Sequence, residues 1–158
     1  MKKLVWLLVL FFVISCSNPT KDELINYTNN ELPKVASLEA EIISLYDSAT
    51  GENYKDDVSL YTTLRDDVIP KQKKFVEDLE NINNNLKIPE IIKLNETYIE
   101  AANIQYSAFL IMLTALEKQD YTLISEANEK LDKGRKLKRQ WQIDLNILAD
   151  KNSVTFNK

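Results

Sequence analysis

The sequence predicts an all-α fold, an antiparallel up-down-up-down four-helix bundle, on three observations. Apolar residues recur at three-four spacing almost without interruption from Leu24 to Leu148, the period of amphipathic helices. Short polar breaks divide that stretch into four segments of roughly 28 to 32 residues, each about 45 Å long at 1.5 Å per residue. The 158 residues include only two glycines and four prolines, too few for the turns of an all-β sandwich or barrel, while 44% apolar content supports one core. The segments share a length but no evident sequence repeat, which disfavours a solenoid.

Each helix has its own stripe and its own stop. The first runs through Leu24, Thr28, Leu32, Val35, Leu38, Ile42, Leu45 and Ala49, until Thr50-Gly51-Glu52-Asn53 breaks it. The second carries Val58, Tyr61, Leu64, Val68, Gln72, Phe75, Leu79, Ile82 and Leu86, with Asp56 or Asp57 placed to cap its start. Pro89 opens the third, whose stripe is Leu94, Tyr98, Ala102, Gln105, Phe109, Met112 and Leu116. Gln119-Asp120 connects to the fourth, with Asp120 as its expected cap and a stripe of Ile124, Ala127, Leu131, Gly134, Leu137, Trp141, Leu145 and Leu148. The expected division is a signal segment over 1–15, a tether over 16–21, the bundle over 22–151 and a frayed tail over 152–158.

Folding these segments back on one another brings residues at equal distances from a turn to equal heights. Pro33 then meets the level of Pro70, Gln72 that of Gln105, and Gln105 that of Gly134. Each helix-interior proline lacks an amide donor, frees the carbonyl four residues before it, on Asn29 or Asp66, and kinks its helix. Gln72, Gln105 and Gly134 are therefore candidate ligand-binding residues at a polar waist between helices. The plainer alternative leaves both glutamines wet at the stripe's edge and makes Gly134 a close-approach residue.

Ahead of the helices, Lys2 and Lys3 precede an apolar run from Leu4 to Ile14, which is too short to span a bilayer core needing about 20 residues. Val13-Ile14-Ser15-Cys16 resembles the lipobox of bacterial lipoproteins. The resemblance implies that Cys16 receives a diacylglyceryl group and becomes the mature N-terminus, with the domain held on the extracytoplasmic face of a cell membrane. Ser17 after it would lean towards outer-membrane sorting in a two-membrane bacterium. Two or more acyl chains anchor durably where one does not. Cys16 is the only cysteine, so no disulfide within the chain supports the fold. The residues after 15 carry 18 Lys and Arg against 24 Asp and Glu, a net charge of −6, which argues against nucleic acid as a partner.

The same composition excludes much chemistry. Without histidine, and with one cysteine, the chain lacks Ser-His-Asp and Cys-His catalysis, His-ligated haem, His- or Cys-built zinc sites and the Glu-x-x-His of di-iron bundles. The acids from Asp47 to Asp57 miss the EF-hand spacing, since Gly51 is fifth after Asp47 and Val58 stands twelfth. No carboxylate pair stands out for glycosidase work. We therefore expect no enzyme, no cofactor and no resident metal.

Two further stretches are candidate partner-binding surfaces. Ala108 to Leu116 is apolar nearly all round its helix, so it is either a buried central segment or, through Leu110 and Ile111, a contact face. Lys133, Arg135, Lys136, Lys138 and Arg139 place five positive charges within seven residues. The i,i+4 pairs Glu126 with Lys130 and Glu129 with Lys133 favour a solvated face over a site for an anionic polymer. The expected function is a lipid-anchored binding or adaptor module for another envelope protein. Alternatives are a small-ligand sensor or carrier using the waist, and a protective or immunity lipoprotein. The sequence leaves the oligomeric state open.

Overall fold

The computed structural model describes residues 18–155, and among them the regular structure is entirely helical. The expected signal segment, Cys16 and the last residues of the tail lie outside the described residues. Four long helical stretches follow one another. The first is α1 (Pro19–Asn26), a π-helical turn over Tyr27–Glu31, and α2 (Leu32–Ala49). After a 3-10 turn at Gly51–Asn53, the second is α3 (Asp57–Thr63), a π-helical turn over Leu64–Val68, and α4 (Ile69–Asn85). The third and fourth are unbroken: α5 (Pro89–Lys118) and α6 (Thr122–Lys151).

The π turns revise the expectation for the prolines. Leu32 N–H bonds the Tyr27 carbonyl and Ile69 N–H the Leu64 carbonyl, each one residue wider than an α-turn, directly before Pro33 and Pro70. Widening the turn makes room for the proline ring against the preceding carbonyls. Both prolines, with Asn29 and Asp66, are exposed, so these residues stand on the outer surface and not at a waist.

Each extra residue also turns the preceding segment by most of one residue step, so the buried face shifts next to the π turns, while Leu24 of the expected stripe stays fully buried. Tyr27 is fully buried where Thr28 was expected in the stripe. Leu60 is buried where Tyr61 was expected, and Val58, also expected in the stripe, is 75% exposed.

Capping explains where the helices begin and end. Asn18 accepts from Lys21 N–H at 3.2 Å and Pro19 sits at the first turn, so the first helix starts earlier than the expected 22. Asp56 caps α3 by accepting from Ser59 N–H at 2.7 Å. The Glu23 carboxylate crosses to the start of α5, accepting from Lys87 N–H at 2.9 Å and Ile88 N–H at 2.8 Å. Asp120 accepts from Thr122 N–H at 3.2 Å and from its hydroxyl at 2.6 Å, steadying the entry to α6.

Two helix ends close in the same way. The Asp120 amide bonds the Ala115 carbonyl and the Val154 amide bonds the Ala149 carbonyl, both at 2.9 Å, with Gln119 and Ser153 at positive φ. These are Schellman caps with the left-handed position filled by residues other than glycine. Val154 is buried beneath the second, so the tail expected to fray from 152 is docked at least that far.

A single cluster runs the length of the molecule, from Leu24, Ile91 and Leu148 at one end to Ala49, Leu60 and Met112 at the other. α5 and α6 share the most extensive packing. Within the core, Tyr27 donates to Asn95 Oδ1 at 3.0 Å, and Asn95 Nδ2 donates to the Leu79 carbonyl at 3.0 Å and to Asn83 Oδ1 at 3.1 Å. These bonds let a fully buried asparagine avoid the penalty of an unpaired amide.

Candidate functional site: a cavity at mid-helix

The three residues expected at the waist converge on one turn of α5. Gln72 Nε2 donates to the Ala102 carbonyl at 2.9 Å, and a Cβ on Gly134 would stand 3.3 Å from the Ala101 carbonyl and 3.7 Å from Gln105 N. Their roles differ. Gln72, 1% exposed, is fixed behind α5, whereas Gln105 and Gly134 line a cavity of about 250 Å³. Gly134 is in a helix interior, where glycine costs roughly 1 kcal/mol relative to alanine. The 3.3 Å approach to the Ala101 carbonyl explains why a side chain there would crowd α5.

The cavity opens between α2, α5 and α6. Rings of Tyr46, Phe75, Tyr98 and Phe109 form its walls, with Ala101, Ala102 and Gly134 making space between them. Tyr46 and Phe109 are tilted with centroids 5.1 Å apart, and Phe75 meets Tyr98 edge-on at 5.7 Å. Trp141 stacks on Tyr98 at 4.2 Å behind the wall, and its indole Nε1 is buried without a hydrogen-bond partner among the described residues. Ile43 and Leu131 complete the apolar lining. Four charged residues, Glu39, Asp47, Arg135 and Lys138, contribute as well.

Those charges are not equivalent. Lys138 forms an ion pair with Glu39 across the helices, and its ammonium also lies 5.8 Å from the Tyr98 ring centroid. Arg135 instead pairs with Asp132 one turn back on its own helix at 2.5 Å, holding the Asp132 carboxyl below its ordinary range. Burial, and then the Glu39 charge, push the Tyr98 hydroxyl well above the ordinary tyrosine range. Tyr46 is raised first by burial; Arg135 then pulls it down more than Asp47 pushes it up. The Tyr46 hydroxyl donates a long hydrogen bond to Met112 sulfur, 3.7 Å.

The rest of the basic stretch is on the surface: Lys133, Lys136 and Arg139 are exposed. Neither Glu126–Lys130 nor Glu129–Lys133 forms an ion pair within 4 Å; Asp132 and Glu39 serve Arg135 and Lys138 instead. Along α5, Ala108, Phe109, Met112 and Ala115 are buried, Ile111 packs partly against the core and Leu110 is 39% exposed. α5 is also long and apolar enough to cross a membrane by length and composition; a third of that apolar window is buried here, where α5 packs on α4 and α6.

Stripe reading found Phe75, Tyr98 and Phe109 as core but missed Glu39, Ile43 and Tyr46 as lining. Ile43 and Tyr46 follow Glu39 by four and seven positions, one helical face, and that spacing was the available signal. Compared with family models, with curated proteins and with solved structures, the chain matches none.

Proposed function

We propose that this chain is a lipid-anchored, extracytoplasmic binding module: an antiparallel up-down-up-down bundle tethered through Cys16 that holds a small ligand in its mid-helix cavity. The observation that carries the ligand reading is an aromatic-walled cavity of about 250 Å³ with a few polar groups at its edge, the usual composition of small-molecule sites. The topology is supported by contacts in opposite order along neighbouring helices. Residues 72 and 79 reach 102 and 95, respectively, and residues 98 and 101 lie against 141 and 134. The anchor rests on the lipobox resemblance, with the membrane as its partner.

The test is ligand-dependent stabilisation of the full chain against Ala101→Leu, which fills the cavity. A ligand at a hundred times its Kd contributes about 2.7 kcal/mol, or roughly 5–10 °C in Tm for a domain of this size. Single-ring compounds that raise Tm in the parent and leave the filled variant unmoved support the reading; equal shifts in both overturn it. Palmitate labelling that persists in Cys16→Ala would overturn the anchor.

A second reading, an adaptor for another envelope protein, is favoured by the large apolar side chains left on the surface, Leu110, Ile143 and Ile147 among them.

A further inference from the structure

We propose that the ligand of this cavity is a single-ring aromatic carboxylate, its ring between the aromatic walls and its carboxylate met at the mouth by Arg135. The inference rests on the cavity being the binding site, and it adds the ligand's shape and sign. Shape comes from the walls. A dry cavity of about 150 Å³ holds benzene, so about 250 Å³ fits one ring with a short substituent. The four surrounding rings offer edges and faces for offset or edge-to-face contacts with a flat partner.

Sign comes from comparing the charged residues. Glu39 and Lys138 neutralise one another, which leaves Arg135 as the lining cation whose donors can turn to a ligand, with Asp47 the lining carboxylate that a ligand anion must avoid. Asp132 holds Arg135 only weakly: the side chains are 58% and 64% exposed, and an exposed i,i+3 pair contributes little. The guanidinium has five donors in a planar fork, suited to a carboxylate while Asp132 keeps a share. The Gln105 side chain makes no hydrogen bond to another protein group among the described residues, so its amide can donate to a second ligand oxygen.

Calorimetric titration of the full chain in detergent micelles with benzoate, benzyl alcohol and benzylamine tests this. Benzoate is expected to bind at least about tenfold tighter than benzyl alcohol, the difference that a hydrogen bond to a charged group makes. Arg135→Gln should remove that advantage and leave benzyl alcohol where it was. Benzyl alcohol or benzylamine binding as tightly as benzoate, or an advantage that survives Arg135→Gln, would overturn the carboxylate and leave the cavity as a binding site. If Ala101→Leu binds all three as the parent does, the site itself is refuted along with the ligand class.

Discussion

Replacing Gln72 by leucine isolates what a buried amide contributes beside the mid-helix cavity. The side chain is 1% exposed, and Nε2 donates to the Ala102 carbonyl at 2.9 Å. That carbonyl lies in the middle of α5, where the amide four residues on already uses it, so removing Gln72 leaves no orphaned acceptor. The lost bond is worth about 1 kcal/mol. That net figure already includes taking the amide out of water, and leucine of similar size offsets it by burying apolar surface instead, about 1–3 kcal/mol. Gln72→Leu should therefore be neutral to about 2 kcal/mol stabilising, whereas Gln72→Ala, which loses the same bond and also leaves a void, should cost about 2–5 kcal/mol. Urea unfolding followed by far-UV circular dichroism measures both, provided the m value stays constant. A leucine variant that loses more than about 2 kcal/mol at unchanged m would refute the reasoning and mean that the amide holds more than one carbonyl.

Other perturbations follow from the caps, the buried tyrosines and the surface of α5. Gln119→Gly relieves a left-handed residue at a Schellman cap and should raise stability by about 0.5–1 kcal/mol in the same assay, with Gln119→Val moving the other way. Burial raises the Tyr27 and Tyr98 hydroxyls, so the folded protein keeps protons that the unfolded chain sheds near pH 10. Stability is then fully present below about pH 10 and falls above it by about 1.4 kcal/mol per pH unit for each tyrosine, and Tyr98→Phe should remove one share of that slope in alkaline unfolding. Leu110→Lys should leave Tm within about 2 °C because the side chain already meets solvent, while Phe109→Lys, one position earlier and fully buried, should abolish folding.

Much of this was legible because helix ends announce themselves. Pro89 opens α5, Asp56 caps α3 and Gly51 takes φ +57 in the first turn, as the residue types demand. Asn18-Pro19 carries the same kind of signal, a cap followed by proline, although the stripe alone placed the start later. Phase was harder to read. A three-four stripe assumes an unbroken 3.6-residue turn, and the π turns before Pro33 and Pro70 move Tyr27 and Leu60 inward while leaving Val58 in water.

The candidate site divides along the same line. Equal heights brought Gln105 and Gly134 to one cavity, but the height of a residue does not say which way its side chain turns, and Gln72 faces the back of α5. Buried Asn95 was illegible because its partners, Tyr27, the Leu79 carbonyl and Asn83, come together only after folding. The Glu39–Lys138 pair spans 99 positions of chain, where sequence spacing gives no guide.

Asn18 Nδ2 donates to Asn152 Oδ1 at 3.2 Å, so the first described helix and the last one meet at their outer ends. Side-by-side ends make the order of the helices interchangeable without disturbing their packing. A short linker joining Thr155 to Asn18, with new termini cut in the exposed turn at Gly51–Asn53, would yield a circular permutant with the same core. Attached through its new first residue, that permutant would hang from its support upside down relative to a parent attached through its own N-terminal end.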